Sequence, residues 1–64
     1  MNSRIVIKKL KADGWYLDRI RGSHHHFIHD VKRGVVTVPH PKHDLKKGIL
    51  RSIYRQASME WPPK

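Results

Sequence analysis

The segment Gly22-Ser23-His24-His25-His26-Phe27-Ile28-His29 sets the frame for the rest of this chain. It carries four of the six histidines. A Gly-Ser turn opens it, and a turn-rich stretch, Asp30-Val31-Lys32-Arg33-Gly34, follows it. What lies between is the length of one strand. Side chains alternate along a strand, so His24, His26 and Ile28 share one face and His25, Phe27 and His29 the other. Gly22-Ser23 is short enough to join this strand to a preceding one as a hairpin. Gly34 can supply a positive φ for a second hairpin loop.

Upstream, Trp15 to Arg21 is rich in aromatic and branched residues and reads as a first strand. Trp15, Leu17, Arg19 and Arg21 fall on one side, and Tyr16, Asp18 and Ile20 on the other. The alternation is imperfect and leaves open which face is buried. Trp15 reads as core rather than as a base-stacking surface. Before it, Ser3 is placed to cap a helix from Arg4 to Asp13. Val6, Ile7 and Leu10 make its apolar face, and Gly14 is a natural residue just past its end.

Downstream, Val35 to Val38 is a β-branched third strand, stopped by Pro39 and Pro41. Asp44 is the expected cap of a second helix running to about Ala57. Its buried side is Ile49, Ile53 and Ala57, with Leu50 beside them. Gly48 inside that helix costs roughly 1 kcal/mol against alanine, which suits close approach of another backbone or a ligand. Residues 1–58 form one domain, and 59–64 a tail with Trp61 placed to fold back over the core. The order helix, three strands, helix predicts an α+β fold. A three-stranded antiparallel sheet with both helices on one face buries these apolar stripes most economically.

Sixty-four residues allow one small domain. A chain of this size buries only about 60% of the surface its unfolded form exposes. Cysteine is absent, so there is no disulfide framework and no thiolate zinc site, and an intracellular, cytoplasmic setting is expected. No apolar run is long enough to span a membrane, and the N-terminus lacks the apolar core of a secretion signal. Fourteen Lys and Arg against five acidic residues give a formal net charge of +9. That excess points to a polyanion, nucleic acid before membrane, or to an acidic protein partner.

Arg4, Lys8 and Lys11 recur at helical spacing, as do Lys47, Arg51 and Arg55. Taken alone, such ladders are most simply solvated faces. Lys46 and Lys47 open the second helix, where cations oppose the helix dipole. A bound phosphate would offset that. Imidazole titrates nearest neutral pH and can take and give a proton within one reaction. A histidine at a turn–strand junction on so basic a chain makes RNA cleavage a reading to test. His24 and His26 share a face, and His40 and His43 lie further on, but no carboxylate or cysteine set completes a metal site, and no metal or cofactor is expected. His29, His40 and His43 read as exposed loop or strand-end residues.

Four segments together resemble the HicA family of toxins. They are Leu10-Lys11-Ala12-Asp13-Gly14-Trp15, Arg21-Gly22-Ser23-His24-His25-His26-Phe27, Val36-Thr37-Val38-Pro39-His40-Pro41-Lys42, and the run from Leu45 to Ala57 that begins Leu-Lys-Lys-Gly. The resemblance implies a double-stranded-RNA-binding-domain-like α-β-β-β-α fold. It implies a small ribonuclease that cleaves mRNA and arrests translation and growth, and a HicB antitoxin that masks its active site. Operator DNA would be contacted only through the antitoxin complex. The family's catalytic histidine follows the Gly-Ser turn, which maps first to His24 and second to His25. The implied chemistry is metal-independent attack of a ribose 2′-OH on the adjacent phosphate. Arg4, Lys8, Lys11, Arg21, Lys46, Lys47, Arg51 and Arg55 are the expected RNA- and phosphate-binding residues. A non-catalytic RNA-binding module of the same fold is the alternative.

Overall fold

The computed structural model describes residues 1–63, so Lys64, the last residue of the expected tail, lies outside the described residues. The elements run α1 (Ser3–Ala12), β1 (Tyr16–Arg21), β2 (His24–Ile28), β3 (Val36–Pro39) and α2 (Lys47–Gln56). The strands form one antiparallel sheet in the order β1-β2-β3. The α-β-β-β-α order is the expected one.

Phe27 pairs with Val36 and His25 with Val38, so these four side chains share one face of the sheet. Phe27, Val36 and Val38 are buried there beneath Val6 and Leu10 of α1 and Ile53 of α2. Trp15, Leu45 and Ala57 complete the core. Both helices therefore cover one face, and they do so over β3. All six residues of β1 are exposed, so the first strand extends past the helical cover.

Both helix starts differ from the expected ones, for the same reason: the residue best suited to cap has a partner elsewhere. Asn2, not Ser3, caps α1, its side chain accepting from the Ile5 N–H at 2.9 Å. Ser3 is instead the first helical residue and is 2% exposed. Asp44 does not cap α2. Its carboxylate pairs with the amine of Met1 at 3.2 Å, and Lys46 takes the cap position with no side-chain hydrogen bond. The helix consequently begins three residues after Asp44.

Both helix ends follow a single pattern. At α1, Gly14 has φ +102°, its N–H donates to Lys11 O, and the Trp15 N–H reaches back to Leu10 O. At α2, Ser58 has φ 53°, its N–H donates to Arg55 O, and the Met59 N–H reaches Tyr54 O. These paired bonds are the Schellman closure, which satisfies the last carbonyls and turns the chain toward the core. It brings Trp15 and Met59 inward. Met59 packs on the core, and Trp61 sets its ring edge to Tyr54 at 5.4 Å.

Three further differences have local causes. Asp18 is an extra residue in β1, opposite no partner in β2, since Leu17 pairs with Phe27 and Arg19 with His26. This bulge resets the alternation. Leu17 and Ile20 thus share the helix-side face, and Tyr16, Arg19 and Arg21 the other. At α2 the buried stripe is Ile53, Tyr54 and Ala57, with Leu50 half-buried beside it, while Ile49 turns outward. A Cβ on Gly48 would meet nothing within 4 Å, so no other part of this chain approaches that glycine closely.

Candidate functional site

The hairpin Arg21-Gly22-Ser23-His24 organises the site. Gly22, at φ 58°, takes the positive-φ corner that a two-residue turn needs, and Arg21 pairs directly with His24 across it. His24 is exposed on the sheet face turned away from the helices, beside Arg21 on one side and Pro39 on the other. His26 lies on the same face, its Nδ1 2.9 Å from Thr37 Oγ1. His25 faces the opposite way, between Ile20 and Val38, and is half-buried. The strand period thus separates His24 and His25 onto opposite sides of the sheet.

His25 meets His40 edge to face, with ring centroids 4.8 Å apart. Burial, then the neighbouring His40 and His26, hold its imidazole below the ordinary range. His40 is anchored from two directions. Its N–H donates to Ser23 O at 2.7 Å, and its Nδ1 lies 2.7 Å from the Oγ of buried Ser3. The Lys42 N–H donates to the same Oγ at 2.8 Å. The Ser3 N–H closes the arrangement by donating to Lys42 O at 2.9 Å.

Local sequence makes His40 a loop residue and Ser3 a cap, so this cluster is visible only in the folded chain. The signal available was His40 itself, in the Val-Pro-His segment that the hairpin needs beside it.

An open cleft of about 510 Å³ lies next to this cluster, between residues 2–4 and residues 40–43. Arg4 lines it. Arg4 and Arg21 are thus the expected RNA-binding residues that the structure brings to the histidine end of the sheet. Lys8 and Lys11 lie exposed along α1, and Lys46, Lys47, Arg51 and Arg55 exposed at the start of and along α2. Among the described residues, the side-chain ion pairs engage Arg19 and Lys32 and none of these eight cations.

His29 is no loose strand-end residue. Its Nδ1 accepts from the N–H groups of Val31 and Lys32, both at 3.0 Å. Its Nε2 is left to donate to Asp13 O at 2.8 Å. Among the described residues, no group of three or more His, Cys, Asp or Glu is arranged to hold a metal ion, and no helix is long and apolar enough to cross a membrane.

The order of two helices about a three-stranded antiparallel sheet agrees with the comparisons. The family model for HicA toxin of bacterial toxin-antitoxin matches residues 3–59. Among solved structures, a chain of the HicA3 and HicB3 toxin-antitoxin complex is similar with a TM-score of 0.77 and 31% sequence identity, over 94% of this chain and 97% of that one. No curated protein matches the sequence. With the match running from the first helix through the second, this chain belongs to the HicA toxin family of bacterial toxin–antitoxin systems.

Proposed function

We propose that this toxin is an endoribonuclease that cleaves mRNA by histidine-dependent, metal-independent chemistry and thereby arrests translation and growth in the cytoplasm. The supporting observation is the exposed position of His24 at the hairpin end, directly across from Arg21. In the proposed step, neutral His24 accepts the proton of a ribose 2′-OH. The 2′-oxygen forms a bond to the adjacent phosphorus, and the bond from phosphorus to the 5′-oxygen breaks. The leaving oxygen takes a proton from solvent or from the imidazolium. The products are a 2′,3′-cyclic phosphate and a 5′-OH. General-base help of this kind contributes about 10²–10⁴-fold. Arg21 is placed to stabilise charge gathering on the phosphate oxygens, and Lys46, Lys47 and Arg51 are further cations for the same task. Lys8, Lys11 and Arg55 extend the cationic surface for the RNA backbone.

His25 is the second choice for the base. Its half-buried place beneath the sheet gives it less access to a strand of RNA than His24 has. A HicB antitoxin is the proposed partner, since the similar solved chain comes from a HicA3 and HicB3 complex. It would neutralise the toxin by covering the histidine end of the sheet, and operator DNA would be bound through it.

The test is incubation of the purified protein with a structured RNA in EDTA, beside His24→Ala and His25→Ala. Loss of cleavage in His24→Ala alone, with RNA binding retained, supports the assignment. Loss in His25→Ala alone moves the base to that residue. No cleavage by the folded wild type would leave a non-catalytic RNA-binding module, and rescue only by added divalent ions would remove the metal-independent mechanism.

A further inference from the structure

Beside the strand histidines, a second set of basic side chains meets in a concavity, and nothing in the proposed cleavage step uses it. The cleft is bounded by the start of α1 and the loop leading to α2. Arg4 and Lys42 are exposed on its two sides. His40 and His43 also line it, and no carboxylate does. The nearby Asp44 carboxylate is engaged by the Met1 amine.

The helix end itself contributes little. The Ser3 N–H is given to Lys42 O, the Ile5 N–H to the Asn2 side chain and the Val6 N–H to Asn2 O. Any anion here would be held by side chains. One of these is set in advance: the His40 Nδ1 lies 2.7 Å from the buried Ser3 Oγ, which itself accepts from the Lys42 N–H. A ring already held in one orientation loses little freedom when it binds. The 2.7 Å bond from the His40 N–H to Ser23 O keeps the cleft against the hairpin turn, one residue from His24. Its openness suits a polymer passing through rather than an enclosed small molecule.

We infer that this cleft is a phosphate subsite of the RNA strand, holding a backbone phosphate next to the one cleaved, with Arg4, Lys42 and His40 as its donors. This rests on the ribonuclease reading, which supplies the neighbouring cleavage point. The subsite gives the strand a register: with one phosphate in the cleft, the next is presented at the hairpin end.

The probe is a short single-stranded 2′-O-methyl RNA, which lacks the attacking hydroxyl and so reports binding without cleavage. Its affinity is measured against salt for wild type, Arg4→Gln and Lys42→Gln. Arg33→Gln, on the loop between β2 and β3, controls for loss of one positive charge anywhere. Each lost phosphate contact should lower the salt slope by about 0.7 and weaken binding about fivefold at 0.1 M salt. Arg33→Gln should change binding much less. His40→Ala should weaken binding too, and His40→Gln, which keeps an N–H donor near the Nε2 position, should restore part of it. Folding of each variant is checked by thermal melting. Unchanged slopes in Arg4→Gln and Lys42→Gln, or losses equal to that of Arg33→Gln, overturn the subsite. If ordinary RNA is not cleaved but Arg4→Gln and Lys42→Gln still weaken the probe selectively, the subsite stands and the ribonuclease reading falls.

Discussion

The Nε2 of His29 lies 2.8 Å from the carbonyl oxygen of Asp13 and ties the end of α1 to the loop after β2. The same ring closes that loop by accepting two backbone N–H groups, and its edge meets Trp15 at 5.1 Å. His29→Ala removes three hydrogen bonds and should cost roughly 1–3 kcal/mol. Thermal melting reads this directly, at about 4–8 °C per kcal/mol for a domain of this size. An unchanged midpoint would mean that water replaces the ring without cost. RNA cleavage measured well below the melting point should be little affected.

Gly14 should tolerate no side chain. A Cβ there would sit 2.6 Å from His29 Nε2, and the residue holds φ +102°. Gly14→Ala combines backbone strain of about 1–3 kcal/mol with displacement of the His29 ring. Its melting point should fall further than that of His29→Ala. In the double variant the clash is gone, leaving the strain and the lost His29 bonds, so the combined loss should be less than the sum of the two. Full additivity would show that the contact does not matter.

Gly48→Ala should move stability the other way. The position is helical, exposed and open to a Cβ. The gain is up to about 1 kcal/mol. A higher melting point with weaker binding of RNA or antitoxin would show that the missing side chain makes room for a ligand. A lower melting point would contradict the open geometry.

Acid should attack the link between α1 and the loop. The Lys32 Nζ, 2.6 Å from the carboxylate, holds Asp13 below the usual range, with burial opposing and Trp15 and His29 assisting. The folded state then favours the ionised carboxylate. The stability it contributes is present above the unfolded value of about 3.9 and is lost as pH falls through the lowered folded value. Asp13→Asn should be less stable than wild type at pH 6, with the gap closing in strong acid. Melting curves across that range check it, and a gap independent of pH would remove the ionic explanation.

His25 acts at milder pH and with the same sign. Its folded-state imidazole is held low by burial, His40 and His26, so folding favours the neutral ring. That contribution is complete above the unfolded value of about 6.5 and is lost as pH falls toward the folded value. His25→Gln should flatten the fall in melting temperature between pH 7 and the acid side of that range. Equal slopes in the two proteins would rule out His25 as a source of the pH dependence.

The parts of the fold that local chemistry decides were legible in the residues. Gly14 announced the end of α1, Gly22-Ser23 the hairpin, and the strand period put His24 and His25 on opposite faces. What could not be read depends on partners far along the chain. Asn2 and Ser3 are both good caps. The choice between them is made by His40, 37 residues away, which takes the Ser3 hydroxyl. Asp44 fails as a cap because an amine 43 residues earlier holds it. The Asp18 bulge has no periodic signature, because an inserted residue looks like a broken pattern until its neighbours' partners are known. For the site, the motif gave the histidines but not the cleft, whose two walls meet only in the folded molecule.

That bulge has a bearing on how molecules of this toxin coexist at high concentration. β1 lies at the margin of the sheet with every residue exposed, and Leu17 and Ile20 beside its free edge are apolar. A regular strand of that kind is a template onto which a second sheet can grow. Asp18 interrupts the hydrogen-bonding row partway along, and charged Asp18, Arg19 and Arg21 occupy its remainder. Edge-to-edge stacking into fibres is thereby opposed, on a strand left uncovered for want of a third helix.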